Sequence, residues 1–331
     1  MALCPGPRTG LLDHLIPLCE ILHMPLAVQD PWVETAAEMF YPPIWVFDGS
    51  EGFGPLCDAY HTLYTVESCR LYAGAYRFGE EIYHGEQRSV CGLHGHSDKF
   101  RQEYWAEQLI HEDMILLYGP EMVHFLKTCG IFERLKAWVY VGNYRYAYYM
   151  KHRAFFDAKV APFLPDRQGR MRILYAPTWS FPQEAGFYGS PFFEQIENIL
   201  RVPDDFQLIV KLHPFMYRLF PEVVIQLQRR YTSDHIVVLE DIPLVYPFLT
   251  QVDAYLGDYS SVGYDFLAMD RPLFLLTPGP IAEAGTCIHD VTTLYQTIAK
   301  TPDRHAEARQ RLYRWAFGES VTLEDLAERL P

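Results

Sequence analysis

The chain has 331 residues, of which 49% are hydrophobic and 21% charged, so it is long enough for two domains and is not an intrinsically disordered protein. Its formal net charge of −14 disfavours nucleic acid and anionic membrane surfaces as default partners, because the average surface repels phosphate. Seven cysteines without a Cys-x-x-Cys pair predict reduced thiols in a cytoplasmic protein rather than a disulfide framework or a zinc site.

The first half alternates short apolar runs with helical patterns. Residues 11–22 have helical spacing and residues 25–28 resemble a strand. Asp13 and Glu20 interrupt this apolar stretch, which argues against a signal peptide, and no run has transmembrane length. The remaining predicted elements are strands at 44–47, 62–66, 89–93, 114–118 and 137–141, and helices at 121–128 and 146–157.

The second half shows a cleaner alternation of strands and helices. Residues 161–170, with two prolines, a glycine and three charges, predict a linker between domains 1–160 and 171–331. Strands rich in Ile, Leu and Val that alternate with helices predict a parallel sheet covered on both faces. The predicted strands are 171–176, 206–212, 236–239, 254–257 and 273–276, and the predicted helices are 191–201, 221–231, 262–269 and a C-terminal pair.

Two of these strands end in polar residues that suit anion binding. The first runs into Pro177-Thr178, and the second delivers His213 followed by a proline that stops the strand. Thr178 on its own is more typical of a turn that caps its own backbone, and a lone histidine at a strand end is more often structural. Because the carboxyl ends of parallel strands open onto one crevice, the two together favour a functional reading, with His213 as a phosphate contact or proton shuttle.

The string GDYSSVGYDF after the 254–257 strand is the most specific signal. Asp258 ends the strand, and Ser260 and Ser261 occupy the place of a helix N-cap; all three, with Thr178, are candidate diphosphate-binding residues. Amides at a helix start and two hydroxyls can hold phosphate without a basic side chain, although a serine N-cap is also common without any ligand. Asp265, one turn further on, is expected to anchor the loop rather than to react.

The first half offers a second group of candidates. His94 follows the 89–93 strand, with Gly95 allowing a sharp bend, and is a candidate general base; Lys99 is a candidate contact to acceptor or phosphate. His94 and His96 are alternatively metal ligands, but no third ligand is spaced nearby, so we predict no metal. Arg145 follows the turn after the 137–141 strand and is a further candidate contact, with a surface ion pair as its alternative.

The strings APTW at 176–179, KLHP at 211–214 and DYSSVGYDF at 258–266 resemble the CDP-glycerol glycerophosphotransferase family of teichoic-acid synthesis. The resemblance implies a GT-B fold, with two Rossmann-like, doubly wound parallel-sheet domains facing each other across a cleft. It implies transfer of a polyol phosphate from a CDP-linked donor to a hydroxyl acceptor, without a cofactor. His94 would match the family's proposed base, and His213, Ser260 and Ser261 its donor phosphate contacts.

Some features keep other functions open. His96-Ser97 stands where the family usually has Thr-Pro, and Tyr144 where it has Pro, so the acceptor side departs from the family. The alternatives are a GT-B nucleotide-sugar glycosyltransferase or UDP-sugar epimerase-like enzyme, and a non-catalytic protein that binds nucleotide diphosphates. We expect a cytoplasmic protein, with peripheral contact at the inner face of the membrane left open, and no nucleic-acid partner.

Overall fold

The computed structural model describes residues 1–49, 59–68, 81, 87–93, 95, 106–179, 190–277 and 279–331. The chain forms two compact α/β units, which we refer to as the first and the second domain. The first contains the described residues up to 95 together with residues 106–153 and 315–331. The second contains the described residues from 154 to 314.

A parallel sheet forms the centre of the first domain, and in the described part of the chain it has seven strands in the order β3-β2-β1-β4-β5-β6-β7. The strand order reverses on the two sides of β1, which defines a doubly wound sheet. The strands are Ala2–Cys4 (β1), Leu26–Val28 (β2), Val46–Asp48 (β3), Thr62–Thr65 (β4), Arg88–Gly92 (β5), Met114–Leu117 (β6) and Trp138–Tyr140 (β7).

Helices cover this sheet, and two of them begin at clear capping signals. The Asp30 carboxylate accepts a hydrogen bond from the Trp32 amide at 2.9 Å, ahead of a proline in the first helical position. The Asn143 side chain caps the helix that begins at Tyr144 in the same way, by accepting a hydrogen bond from the Tyr146 amide. The helices are Leu12–Ile21 (α1), Pro31–Phe40 (α2), Pro120–Thr128 (α3) and Tyr144–Lys151 (α4).

The second domain repeats this plan. Its parallel sheet has six strands among the described residues, in the order β10-β9-β8-β11-β12-β13, so the order reverses between β8 and β11. Strands β9 and β11 are buried along their whole length, as expected for a sheet covered on both faces. The strands are Met171–Ala176 (β8), Phe206–Val210 (β9), Ile236–Val238 (β10), Ala254–Gly257 (β11), Leu273–Leu275 (β12) and Thr286–Cys287 (β13).

The helices of the second domain pack on both faces of the sheet, around a core of aliphatic and aromatic side chains from β8, β9 and β11. Arg309 is buried and donates to the carboxylates of Asp270 and Asp303. The helices are Arg153–Val160 (α5), Phe192–Ile199 (α6), Pro214–Leu219 (α7), Pro221–Tyr231 (α8), Tyr246–Thr250 (α9), Ser261–Phe266 (α10), Leu294–Lys300 (α11) and Ala306–Phe317 (α12).

The C-terminal segment returns to the first domain. The Phe317 ring meets Tyr118 edge-on at 5.8 Å, the helix Leu323–Arg329 (α13) packs on α1 and α4, and the Tyr64 hydroxyl donates to the carbonyl of Pro331. The sequence-based assignment of 171–331 to the second domain is therefore wrong from residue 315 onwards. The apolar spacing of this segment predicts helices, but it does not say which domain accepts them.

The predicted fold class, two parallel α/β domains, is confirmed, and the C-terminal pair of helices is present as α12 and α13. The predicted helix 146–157 is wrong, because the chain forms α4 and α5 with a break at His152, whose Nε2 lies 2.8 Å from the Glu20 carboxylate. No helix within the described ranges is both long and apolar enough to cross a bilayer.

Candidate functional site

The predicted donor-side residues follow the carboxyl ends of three neighbouring strands, β9, β8 and β11, at one edge of the second sheet. The amide of Thr178, after β8, donates to Asp258 Oδ1, after β11, at 2.9 Å. The ring of Trp179 lies 6.0 Å from that of His213, after β9. The segments after β8, β9 and β11 therefore adjoin one another at this edge, where strand order reverses, and a shared anion site formed by their side chains stays a prediction.

Thr178 has a hydroxyl that the fold leaves unsatisfied. The residue is 2% exposed, and its Oγ1 has no hydrogen-bond partner among the described residues. Leaving a buried hydroxyl without a partner costs about 1–3 kcal/mol. A ligand oxygen at this position would recover that free energy, so the side chain is suited to binding rather than to capping its own turn.

Asp258 organises the loops at this edge. It is 1% exposed, and its bond to the Thr178 amide fixes the chain after β8 against the chain after β11. Burial raises the pKa of Tyr175 and of Tyr255 well above the usual value, and the nearby charge of Asp258 raises both further. Both phenols therefore stay protonated at neutral pH and cannot serve as bases.

The backbone before Asp258 passes directly over the Tyr255 ring. A Cβ added at Gly257 would lie 2.2 Å from the Tyr255 hydroxyl oxygen, so only glycine fits at the end of β11. The same hydroxyl donates to the carbonyl oxygen of Ala176 at 3.3 Å, across the two central strands. This close packing sets the position of both loops that carry the polar residues.

Ser260 and Ser261 begin α10, as predicted. Ser260 is the N-cap: its Oγ accepts from the Val262 amide at 3.4 Å, while Ser261 is the first helical residue and is half-buried. Asp265 is buried and accepts from the Tyr246 hydroxyl at 2.9 Å, which confirms its predicted anchoring role. Both serines therefore lie at the same edge as Thr178, and within α10 the Val262 amide is bonded to Ser260 Oγ and the Gly263 amide to the Ser260 carbonyl oxygen.

His213 caps α7 with its own ring. Its Nδ1 accepts a hydrogen bond from the Phe215 amide at 3.2 Å. An Nδ1 that accepts has no hydrogen, so the neutral imidazole carries its proton on Nε2. This tautomer makes Nε2 a hydrogen-bond donor, which is the form needed to stabilise a phosphate oxygen.

Two further polar residues lie at this edge and were not predicted from the sequence. Lys211 follows β9, is 8% exposed and donates from Nζ to the carbonyl oxygen of Ile242. The sequence signal for Lys211 is its position inside the apolar run LIVKL, two residues before His213. A lysine in such a run is expected to be buried, and a lysine is rarely buried without a specific role. Thr277, two residues after β12, has an Oγ1 that is shielded from solvent and has no partner among the described residues.

Several residues that the sequence predicts to act on the acceptor side belong to parts of the chain that the structure does not describe. His94, Lys99 and the His96-Ser97 pair lie outside the described residues. On either side of His94 the backbone is set by Tyr118 and Gly95: the Tyr118 hydroxyl donates to the Leu93 carbonyl oxygen at 3.0 Å, and Gly95 has φ +107°. The bend that Gly95 was predicted to allow is confirmed.

Arg145 is neither on the surface nor in a surface ion pair. It is 4% exposed, and its guanidinium donates to Asp13 through Nε at 3.1 Å and through Nη2. The alternative weighed from the sequence, a surface pair, is wrong because α4 turns this side chain inwards against α1. The role of Arg145 as an acceptor contact stays a prediction.

Within the described ranges, no cluster of three or more His, Cys, Asp or Glu side chains is arranged to hold a metal ion. The polar groups that the structure places at this edge include the threonine and serine hydroxyls, the imidazole of His213 and the amine of Lys211.

Comparison with solved structures defines the class as the GT-B fold. The wall teichoic acid polymerase TagF matches over 99% of this chain and 86% of its own, at 12% identity and a TM-score of 0.67. A TagF variant soaked with CDPG gives 0.66 over the same shares at 12% identity. MnaA from S. aureus, with UDP, gives 0.56 at 14% identity over 99% of this chain and 93% of its own.

Within this class, residues 135–279 match the CDP-Glycerol:Poly(glycerophosphate) glycerophosphotransferase family. The resemblance predicted from the sequence is thereby confirmed, and the matched segment contains Thr178, His213, Asp258 and both serines. No curated protein sequence matches the chain significantly. At identities of 12–14%, the solved structures establish the fold and nothing finer.

Proposed function

We propose that the protein transfers a glycerol phosphate, or a related polyol phosphate, from a CDP-activated donor to a hydroxyl acceptor. The observation that carries the proposal is the placement of Thr178, His213, Asp258 and Ser260 after neighbouring strands of one sheet, within the segment that matches the glycerophosphotransferase family. A place in cell-envelope glycopolymer synthesis, at the inner face of the membrane, follows from the same similarity.

In this proposal the edge of the second sheet holds the donor diphosphate. The Thr178 hydroxyl, the hydroxyls of Ser260 and Ser261 and the Nε2–H of His213 donate to phosphate oxygens. The role of Asp258 is to hold the loop through the Thr178 amide rather than to contact phosphate, because a carboxylate beside a diphosphate is repelled. Neutral donors suit a chain whose net charge is −14.

The reaction is a phosphoryl transfer. The acceptor hydroxyl oxygen bonds to the β-phosphorus of the donor, the bond from that phosphorus to the bridging oxygen breaks, and CMP leaves with the electron pair. Negative charge develops on the bridging and terminal oxygens, where preorganised donors such as His213 Nε2–H give most of the rate gain. The scheme needs no cofactor.

The acceptor side belongs to the first half of the chain. By family resemblance, His94 takes the proton of the attacking hydroxyl, and Lys99 and Arg145 contact acceptor or phosphate. Two observations support these acceptor-side roles: the sequence motif around His94, and the backbone conformation at Leu93 and Gly95 on either side of it.

A turnover assay tests the proposal. The full chain is incubated with CDP-glycerol or CDP-ribitol and a panel of hydroxyl acceptors, and release of CMP is measured. We expect turnover that falls by about 10²–10³-fold in His213→Ala, because a preorganised donor to the developing charge is lost, and by at least about tenfold in His94→Ala. Turnover that neither change lowers would contradict the assignment.

A matched pair of variants separates the two ends of the His213 ring. Asparagine is a good N-cap, so His213→Asn keeps an acceptor for the Phe215 amide but removes the Nε2–H. We expect His213→Asn to lose as much activity as His213→Ala while it unfolds at the wild-type temperature. His235→Ala, in the same domain at the amino end of β10, is the control and keeps full activity.

A nucleotide-sugar enzyme is the second candidate, favoured by the similarity of the fold to MnaA with UDP. A thermal-shift panel distinguishes it, because a ligand raises stability only when it binds the folded state. Stabilisation by UDP-sugars and not by CDP-glycerol favours the sugar enzyme. Retention of a nucleotide without release of CMP or UDP from any donor favours a non-catalytic binding protein.

A further inference from the structure

Thr277 lies at the same sheet edge as the proposed donor site, on the side away from His213. Leu275 pairs in register with Gly257, and the amide of Leu276 donates to the Gly257 carbonyl oxygen at 2.8 Å. Ala176 pairs with Gly257 from the other side. Thr178 and Thr277 are therefore each two residues past the same position of β11, on its two flanks.

The hydroxyls of Thr178 and Thr277 share a second property. Both Oγ1 atoms are shielded from solvent, and neither has a hydrogen-bond partner among the described residues. A threonine that serves only the fold looks different: Thr65, at the end of β4 in the first domain, is buried and donates to the Glu67 carbonyl oxygen at 2.6 Å. A buried hydroxyl is normally bonded, so two unsatisfied ones at one edge point to a ligand that bonds both.

The spacing of the strands indicates the size of that ligand. Neighbouring strands lie about 4.8 Å apart, so residues that flank β11 are separated by roughly 10 Å. A single phosphate does not reach both flanks, whereas a diphosphate with the group attached to it does. Ser260 and Ser261 follow β11 between the two flanks.

We propose that Thr277 is a further donor-binding residue, whose hydroxyl hydrogen-bonds an oxygen of the diphosphate or of the polyol attached to it. This inference rests on the proposed function, because it takes the ligand of this edge to be a nucleoside diphosphate derivative. Thr178 binds the ligand from the β8 side and Thr277 from the β12 side.

The test compares Thr277→Val, which keeps the shape and removes the hydroxyl, with Thr277→Ser, which keeps the hydroxyl. Dissociation constants for CDP, CDP-glycerol and UDP are measured on the full chain by calorimetry. We expect Thr277→Val to weaken CDP-glycerol binding about tenfold, which corresponds to about 1.4 kcal/mol, and Thr277→Ser to restore most of it. An equal loss for CDP identifies a phosphate oxygen as the partner, and a loss for CDP-glycerol alone identifies a polyol hydroxyl.

Stability provides the second readout. Because the hydroxyl is unsatisfied without ligand, Thr277→Val should unfold at the same temperature as the wild type or a higher one. Thr65→Val is the matched control, and we expect it to lower stability and leave every dissociation constant unchanged. A purely structural Thr277 would behave like Thr65, and that result would overturn the proposal.

The remaining outcomes separate this inference from the proposed function. Wild-type binding of CDP-glycerol that Thr277→Val leaves within twofold rejects the role of Thr277 and leaves the proposed function intact. Binding of UDP compounds alone rejects the proposed donor, and Thr277 is then judged on UDP by the same criterion. A wild-type chain that binds none of these compounds overturns both.

Discussion

Two threonines at the carboxyl edges of the two sheets differ in one respect. Thr65 in the first domain and Thr178 in the second are 1% and 2% exposed, so burial does not distinguish them. Thr65 donates to the Glu67 carbonyl oxygen, whereas the Thr178 hydroxyl has no partner among the described residues. The same residue type at the carboxyl edge of each sheet is thus bonded within the fold in one domain and has no hydrogen-bond partner among the described residues in the other.

The surrounding polar groups follow the same division. In the first domain, Arg145 is paired with Asp13, and the Tyr118 hydroxyl joins His14 Nδ1 to the Leu93 carbonyl oxygen. In the second, Asp258 is used to hold a loop while the hydroxyl beside it stays unsatisfied. Within the described residues, the two edges therefore differ in whether the threonine hydroxyl is hydrogen-bonded, and not in the burial or type of that residue.

The largest expected effect tests the structural side of the comparison. Arg145→Met leaves the buried Asp13 carboxylate without its partner, and we expect the free energy of unfolding to fall by about 3–5 kcal/mol. Urea denaturation measures it. The double variant Asp13→Leu/Arg145→Met removes both charges and should recover most of the loss. A fall of under about 1 kcal/mol in Arg145→Met would show that the pair is not structural.

A smaller effect tests whether polar groups of the second domain outside the candidate site form stabilising hydrogen bonds. The hydrogen bond from Arg309 holds the pKa of Asp303 in the folded protein below its ordinary value. The pair therefore stabilises the fold at pH values above the pKa of Asp303 in the unfolded chain, which is about 3.9. This stabilisation is lost as the pH falls through the lower pKa of Asp303 in the folded protein. We expect Asp303→Asn to cost about 1–3 kcal/mol at pH 7. The difference from wild type should shrink as the pH falls below about 4.

Thermal unfolding at a series of pH values measures the Asp303 effect. Asp204→Asn is the control, because the Asp204 side chain is fully exposed, and it should match the wild type at every pH. A loss in Asp303→Asn that persists unchanged in acid would mean that the carboxylate charge is not what stabilises this region.

The smallest effects test the two threonines directly. Thr65→Val deprives the Glu67 carbonyl oxygen of its donor and should cost about 1–2 kcal/mol, whereas Thr178→Val removes an unsatisfied hydroxyl and should cost nothing or stabilise slightly. Denaturant midpoints measure both. Equal losses in the two variants would mean that Thr178 has a structural partner, and the comparison would fail.

The sequence predicts much of the second domain, for physical reasons. Each of its central strands is a run of apolar residues that ends at a proline or a polar group, so the positions of Thr178, His213 and Asp258 follow from where the strands stop. Because parallel strands share an edge, their meeting follows as well. The three-residue strand β1 is too short to show a period, and it was missed.

Other features depend on contacts that no local pattern contains. Thr277 lies in a Thr-Pro-Gly string typical of a turn, and only its alignment with Gly257 and its unsatisfied hydroxyl single it out. For Arg145, the sequence suggested a contact to acceptor or phosphate, or a surface ion pair. Its buried pairing with Asp13 could not be predicted, because the two residues are far apart in sequence. The facing of the two domains across a cleft, and the roles of His94 and Lys99, stay predictions.

The return of the C-terminal segment bears on how the chain folds during synthesis. A Cβ at Gly119 would lie 2.5 Å from the carbonyl oxygen of Ala316, so the backbones at these two residues are in contact. The Tyr64 hydroxyl donates a hydrogen bond to the Pro331 carbonyl oxygen. Domains usually fold as units while the ribosome is still translating. Here residues 315–331 of the first domain follow the whole of the second domain along the chain, so the first domain cannot be completed before the second has been synthesised, and residues 1–160 expressed alone would have an incomplete core.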